Sequence, residues 1–400
     1  MNSLDSRWQD AVAAELASAV SRLQAWAAIN SGSDHEAGLN RMRDALHQAM
    51  ADLPGQLEVV PCPGASGDDD SFPRFALRLR RESNNPAKPI LLNGHYDTVY
   101  GAAHRFQSTK RLDGNRLQGP GVTDMKGGLV VLLSALKIWE SSPLAGSLAW
   151  EVLITPDEEI GSPFSIPLLE ASAARCRFGL IFESAYADGG FVRTRKGSAV
   201  YQISAAGRSA HVGRNPEDGR NAILGLSEAA LAIGKYADTS GIIANLGDVS
   251  GGGPLNVVPD AASMAWNVRA STVEALTAFE TRLSEILAGL TTGFVRDIRL
   301  SWTGGVSRPP KVVDAPTQAL YDAVASVAAA QGLPVNWRDT GGGSDGSNLA
   351  AYGLPNLDNL GVRGGAIHSD QEYVLLDSLP ERIALTLGIL EAARDGRIQL

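Results

Sequence analysis

Three short apolar runs in the first half of the chain end abruptly on acidic residues or histidine. They are PILLNGHYDTV (89–99), SLAWEVLITPDEEIG (147–161) and RFGLIFESA (177–185). Each reads as a buried strand whose end meets a polar edge. MKGGLVVLLSALKIWE (125–140) reads as a long, mostly buried helix between the first two. Residues 8–52 read as helical with an interruption at NSGSDHEAG (30–38). PGQLEVVPCP and FALRLR read as strands around an exposed loop, ASGDDDSFP (65–73), and GAAHRFQSTKRLDGNRLQGPG (101–121) is rich in turns. Apolar strands alternating with helices predict an α/β fold with a largely parallel mixed sheet flanked by helices. In such sheets sites collect at the C-terminal strand ends. His95, Glu158 and Glu183 share that location.

The pattern changes near residue 191. FVRTRKGSAVYQISAAG alternates like a half-exposed strand, and RNAILGLSEAALAIGKYA is an amphipathic helix. IIANLGDVSGGG and PLNVVPDAASMAWNVRA follow as strands, then TVEALTAFETRLSEILAGL as a helix and DIRLSWTGG as a strand. That order, βαββαβ, predicts an inserted α+β ferredoxin-like domain over 191–305. Residues 1–190 and 306–400 then form the other domain, and 400 residues suit two cores.

Composition narrows the function classes. The net charge of -9 argues against nonspecific binding to nucleic acid or anionic membrane. The start of the chain, MNSLDSRWQDAVAAELASAV, lacks a basic segment followed by an apolar core, and no apolar run reaches about 18 residues. Two cysteines without a CxxC pair suggest a reducing compartment. A cytoplasmic protein is the expectation.

Five pieces carry the candidate chemistry: GHYDT (94–98), GVTDMKGG (121–128), TPDEEIG (155–161), FES (182–184) and IHSDQEYV (367–374). Singly they are weak. Asp124 could cap the helix that follows it, and Glu158 and Glu159 could be a solvated turn. Together, two histidines and three carboxylates suffice for two divalent ions when one carboxylate bridges.

The order and spacing of these pieces resemble the zinc exopeptidase family of glutamate carboxypeptidase, aminoacylase, acetylornithine deacetylase and succinyl-diaminopimelate desuccinylase. FES and AAGRSAHVGRNPEDGRNAI are most similar to the bacterial glutamate carboxypeptidase branch. The resemblance implies two Zn2+ per subunit, with Co2+ or Mn2+ as alternatives. His95 and Glu183 would hold one ion, Glu159 and His368 the other, and Asp124 would bridge them. Asp97 would orient His95, and Glu158 would be the general base. On the inserted lid and dimerisation domain, His211 in GRSAHVG would stabilise the oxyanion in the other subunit of a homodimer. Asn256 and Arg269 would hold the substrate carboxylate. Gly342 and Gly343, in GGGSDGSN, would line the pocket; that run lacks the lysine of a phosphate-binding loop. The activity implied is cleavage of an amide beside a free carboxylate in a small peptide, releasing a glutamate-like residue. Deacylation of N-acyl amino acids, of acetylornithine or succinyl-diaminopimelate type, is the alternative. An inert ligand-binding relative is more remote, because Glu158 is intact.

Overall fold

The computed structural model describes residues 6–63, 72–84 and 87–400. Most of the expected loop ASGDDDSFP, from Ala65 to Ser71, lies outside them. The described chain forms two compact units. The first comprises Met1–Arg193, Val313–Thr340 and Ser344–Leu400; the second comprises Thr194–Val312 and Gly341–Gly343.

The first unit is built on a six-stranded sheet. Its order is Gln56–Pro61, Phe75–Arg81, Trp150–Thr155, Ile90–His95, Gly179–Ile181 and Asn356–Leu357. The first two strands run antiparallel to each other and the second antiparallel to Trp150–Thr155; the remaining pairs are parallel. The apolar runs are continuous because both faces are covered. Ile90, Leu92, Val152, Ile154 and Leu180 face one core, with the helices Ser6–Ala27, Lys126–Glu140 and Ser378–Arg394. Leu91, Leu153 and Ile181 face the other, with Leu169 and Leu349 from two shorter helices. Gly128 permits close seating of the central helix, since a Cβ there would lie 1.9 Å from the Phe182 carbonyl oxygen.

Register does the functional placing. His95 lies opposite Thr155, and Asn93 opposite Ile181. The segments leaving these three strands therefore emerge side by side. The turn-rich 101–121 stretch is more ordered than its sequence suggests. Lys110–Arg111 and Arg116–Gln118 join Tyr373–Leu375, Arg363–Gly365 and Ala185–Tyr186 in a second, five-stranded sheet. Arg363–Gly365 and Tyr373–Leu375 pair antiparallel, so His368 sits in the loop that joins them.

The second unit is a four-stranded antiparallel sheet with two helices, Ala222–Ser240 and Val273–Gly289, in βαββαβ chain order. Its strands lie in the order Ile243–Gly251, Ala261–Ala270, Gly197–Ala206, Arg299–Arg308. Ala199, Tyr201, Ile203, Met264, Trp266 and Val268 pack on Leu226, Ile233, Phe279 and Leu283 of the helices. Alternate residues, Arg269 among them, lie on the opposite face. The unit's main stretch runs on to Val312, because the strand that contains GG at 304–305 continues to Arg308. Gly304 sits within the last strand at φ 113°, where a Cβ would meet the Val200 carbonyl oxygen at 2.1 Å. The stretch 191–207 is two strands, Phe191–Arg195 and Gly197–Ala206. The two ends of the unit are paired, with reciprocal backbone hydrogen bonds between Arg195 and Lys311 of 3.1 and 3.0 Å.

Among the described residues no helix is long and apolar enough to cross a membrane. Cys62 and Cys176 are free thiols, pushed up to about 12 by burial.

Leu136 is fully buried in the central helix of the first unit. Leu136→Ala is expected to cost about 2–5 kcal/mol of stability through the lost transfer energy and residual cavity. Urea unfolding followed by tryptophan fluorescence measures it; a loss below about 1 kcal/mol would mean that this helix is not held by its packing.

Candidate active site

His95 ends its strand with its imidazole buried. Nδ1 lies 3.1 Å from both the Asp97 Oδ1 and the Asp97 carbonyl oxygen. Both are acceptors, so Nδ1 carries the proton and donates. Nε2 is buried without a hydrogen-bond partner. It faces Asp124 Oδ1 at 3.5 Å, Glu183 Oε1 at 3.7 Å and Glu158 Oε2 at 3.9 Å. His368 Nε2 lies 3.2 Å from Asp124 Oδ2 and 3.3 Å from Glu159 Oε2. Asp124 thus stands between the two imidazoles, one oxygen toward each. His368 sits at φ 61°, a left-handed conformation uncommon outside glycine.

Asp97 does more than orient His95. Its Oδ1 accepts the Glu158 amide and its Oδ2 the Glu159 amide, both at 3.1 Å, and Ser33 donates to Oδ2 at 2.7 Å. One buried carboxylate therefore fixes both an imidazole and the single 3-10 turn, Glu158–Ile160, that presents the two glutamates. Asp124 is not a helix cap. Met125 occupies the cap position without a side-chain cap bond, and the Asp124 carboxylate is turned to the histidines.

So many carboxylates in a buried space perturb one another. Burial, reinforced by the Asp124 charge, pushes the Glu159 carboxyl up to about 8. Burial also opposes ionisation of Asp124, but His368 and His95 outweigh it and hold that carboxyl well below its usual range. Burial disfavours the His95 cation, yet Asp124 and Asp97 together raise the imidazole well above its ordinary value. Hydrogen bonds to Asp124 and Glu159 push His368 up to about 10. In this form, protons supply the positive charge that the carboxylates require.

The donor set fits metal ions better than protons. His95 Nε2 and Glu159 Oε1 are buried and lack hydrogen-bond partners. His95, Glu158 and Glu183 form one group whose ligand atoms lie within 4.8 Å of one another, and His95, Asp124 and Glu159 form another. Imidazole nitrogen and carboxylate oxygen are the ligands of catalytic zinc sites. Glu158 reaches the first group as closely as a ligand would, so geometry alone does not separate base from ligand.

The sequence profile of peptidase family M20/M25/M40 matches residues 91–392. The chain belongs to this family. It is 31% identical over 312 residues to carboxypeptidase G2 of Pseudomonas sp. (strain RS-16), covering 76% of this chain and 73% of that protein. It is 30% identical over 343 residues to the succinyl-diaminopimelate desuccinylase of Dechloromonas aromatica (strain RCB), covering 79% and 85%. The fold matches that of the Bacillus subtilis YXEP protein, a dinuclear metal binding peptidase, with a TM-score of 0.69 at 14% identity over 96% of this chain and 99% of that one. As an M20/M25/M40 peptidase the protein is a metal-dependent hydrolase acting on amide bonds.

The remaining candidate residues of this peptidase lie in the second unit. His211 and Asn256 are exposed on adjoining loops, joined by a 3.1 Å hydrogen bond from the Val212 amide to the Asn256 carbonyl. Arg269 is elsewhere. It pairs with Ser198 at the far end of the strand that begins at Ala261, about 27 Å away at about 3.4 Å per residue. Arg269 donates to the Gly341 carbonyl at 2.6 Å, and Arg195 donates to the carbonyls of Gly342 and Gly343 at 3.1 and 3.2 Å. The glycine-rich run thus presents carbonyls to guanidinium groups, not amides to a phosphate.

Sequence reasoning missed Ser33 and Glu372. Glu372 is buried beneath the loop that carries Asp124 and accepts its backbone amides. Burial raises its carboxyl above the ordinary range, and the amides of Asp124 and Thr123 pull against that. Its place four residues after His368 in IHSDQEYV was the one available signal.

Metal ions must displace the protons held by His95, His368 and Glu159. Binding of Zn2+ to the apo-protein is therefore expected to release protons and to tighten from pH 6 to 8. Calorimetry in buffers of different ionisation enthalpy measures this; an enthalpy independent of buffer would contradict it.

Proposed function

We propose that the protein is a co-catalytic di-zinc carboxypeptidase that cleaves an amide next to a free carboxylate and releases a glutamate-like C-terminal amino acid. The observation that carries the reading is the placing of Asp124, with one oxygen toward His95 Nε2 and the other toward His368 Nε2. His95 and Glu183 would hold one ion, Glu159 and His368 the second, and Asp124 both. When bound, the ions polarise the scissile carbonyl and acidify the attacking water.

The chain's own groups do the rest. Asp97 keeps the proton on His95 Nδ1 and leaves Nε2 to bind. Glu158 takes a proton from the water as its oxygen attacks the carbonyl carbon, then delivers it to the departing amine nitrogen as the C–N bond breaks. His211 donates a hydrogen bond to the carbonyl oxygen as it gains charge. Arg269 suits the substrate carboxylate because a guanidinium offers two parallel donors.

The reading includes a homodimer through the second unit, 194–312, acting as lid and dimerisation domain. Arg269 would serve the site of its own chain, while His211 and Asn256 would serve that of a second copy. Their separation along the sheet supports this division. So does the edge strand Ile243–Gly251, where Ile243, Leu246 and Val249 are exposed beside Leu231 of the neighbouring helix. Between strand and helix runs an apolar groove of about 380 Å³. The free thiols fit a cytoplasmic location.

Deacylation of a small N-acyl amino acid is the second reading, supported by the 30% identity to the desuccinylase. A panel of benzoyl- and peptidyl-glutamate against acetyl and succinyl amino acids, run on metal-loaded and chelated protein, separates the two. Chelator-sensitive release of glutamate is the expected result. Turnover confined to the acyl amino acids would transfer the protein to the deacylases.

Glu158→Ala and His211→Ala are each expected to lose turnover while retaining two metals. Mixing the two inactive variants after subunit exchange is expected to restore activity, because a mixed dimer contains one site with both groups intact. A mixture that stays inactive, despite exchange shown by mass spectrometry, would remove His211 from action between subunits.

A further inference from the structure

Glu372 lies in the loop that follows His368 and is fully buried. Its Oε1 accepts the backbone amides of Thr123 at 2.8 Å and Asp124 at 3.0 Å. Its Oε2 accepts the Gly121 amide at 3.0 Å and the Tyr100 hydroxyl at 2.7 Å. An ionised carboxylate offers about four acceptor positions and no donor. Here four donors fill them, and they come from two other loops. Residues 121–124 carry Asp124, while Tyr100 closes the segment that begins with His95 and Asp97. The Tyr100 hydroxyl also lies 2.8 Å from the Ser369 carbonyl, next to His368. One side chain therefore gathers the three segments that supply His95, Asp124 and His368.

We propose that Glu372 is a positioning residue of the metal centre, and that its carboxyl oxygens hold the 121–124 loop so that Asp124 can face both imidazoles. This rests on the metal-centre reading above. Asp124 needs such a hold. It enters a space shared with other carboxyl groups, Glu158 and Glu183 among them, whose ionised forms repel it. Its segment has no strand or helix of its own, and the helix that follows lacks a side-chain cap. Three charge-assisted bonds from backbone amides oppose that repulsion, and such bonds are roughly twice as strong as neutral ones. The requirement is for an acceptor, not for bulk. A glutamine would turn its NH2 toward at least one backbone N–H in either orientation, setting donor against donor.

The test uses apo-protein of the wild type, Glu372→Gln and Tyr100→Phe. Each is titrated with Co2+ while the visible spectrum is recorded, and amide hydrogen exchange is measured in parallel without metal. Wild type is expected to bind two Co2+. Glu372→Gln is expected to lose about 10–100-fold in Co2+ affinity, with an altered spectrum. Its exchange should quicken at 121–125 and stay unchanged in the central sheet. Tyr100→Phe, which keeps the carboxylate, should shift in the same direction by less. Wild-type affinity and spectrum in Glu372→Gln would overturn the proposal. So would exchange that quickens throughout the first unit in step with the affinity loss, since that marks general destabilisation. Should Glu372→Gln fail to fold, Tyr100→Phe decides, and an unchanged spectrum and affinity overturn the proposal. A wild-type chain that binds no Co2+ would instead overturn the metal-centre reading. Exchange at 121–125 would still show whether Glu372 holds the loop.

Discussion

Mutual repulsion among buried carboxylates is the constraint on which the site depends. Asp97, Asp124, Glu158, Glu159 and Glu183 converge on two imidazoles, that of His95 buried and that of His368 open to solvent. Burying a charge without a partner is costly, and burying several of one sign more so. The fold meets this in two ways. Some carboxylates are saturated by fixed donors, as Asp97 is by two amides, a hydroxyl and an imidazole. Glu158 and Glu183 also face His95 Nε2, where a cation of higher charge than a proton is a natural complement. Stability of the clustered carboxylates and affinity for a cation are therefore opposite sides of one electrostatic balance.

That balance is achieved by register rather than by local sequence. Parallel strands bring residues 95, 158 and 183 together because their ends are level, and the Asp97 bonds then turn the 158–160 segment inward. The second sheet brings in residue 368 on a separate hairpin. The segments that carry His95, Glu158 and Glu183 are short, and each hangs from a strand buried on both faces. The precision of the centre is thus borrowed from the packing of Leu91, Leu92, Val152, Leu153 and Leu180 beneath it.

This division explains what could be read from the sequence. An apolar run that halts at His95 or at Glu158 announces a strand end, and several such ends in one chain announce a common edge. The βαββαβ order of the second unit was legible for the same reason, since alternation changes where helices cover one face only. Glu372 was hard to read, because three of its four partners are backbone amides about 250 positions earlier that carry no side-chain signature. The separation of Asn256 from Arg269 also stayed hidden. PLNVVPDAASMAWNVRA looks like one element, but the strand starts only at Ala261, and pairing with 197–206 is what sets its two ends apart.

The paired ends of the second unit carry a consequence for how such a chain can be assembled. Arg195 and Lys311 exchange hydrogen bonds across the two crossings of the main chain. The inserted stretch therefore begins and ends at one place. Excising it would leave two chain ends close enough to be rejoined by a short linker, and domain insertion succeeds where ends are adjacent. Among the described residues, the carboxylates around the two imidazoles all belong to the first unit, so the shortened chain would keep that cluster. The two paired crossings thus make the second unit a stretch that can change in length or sequence without redrawing the sheet of the first.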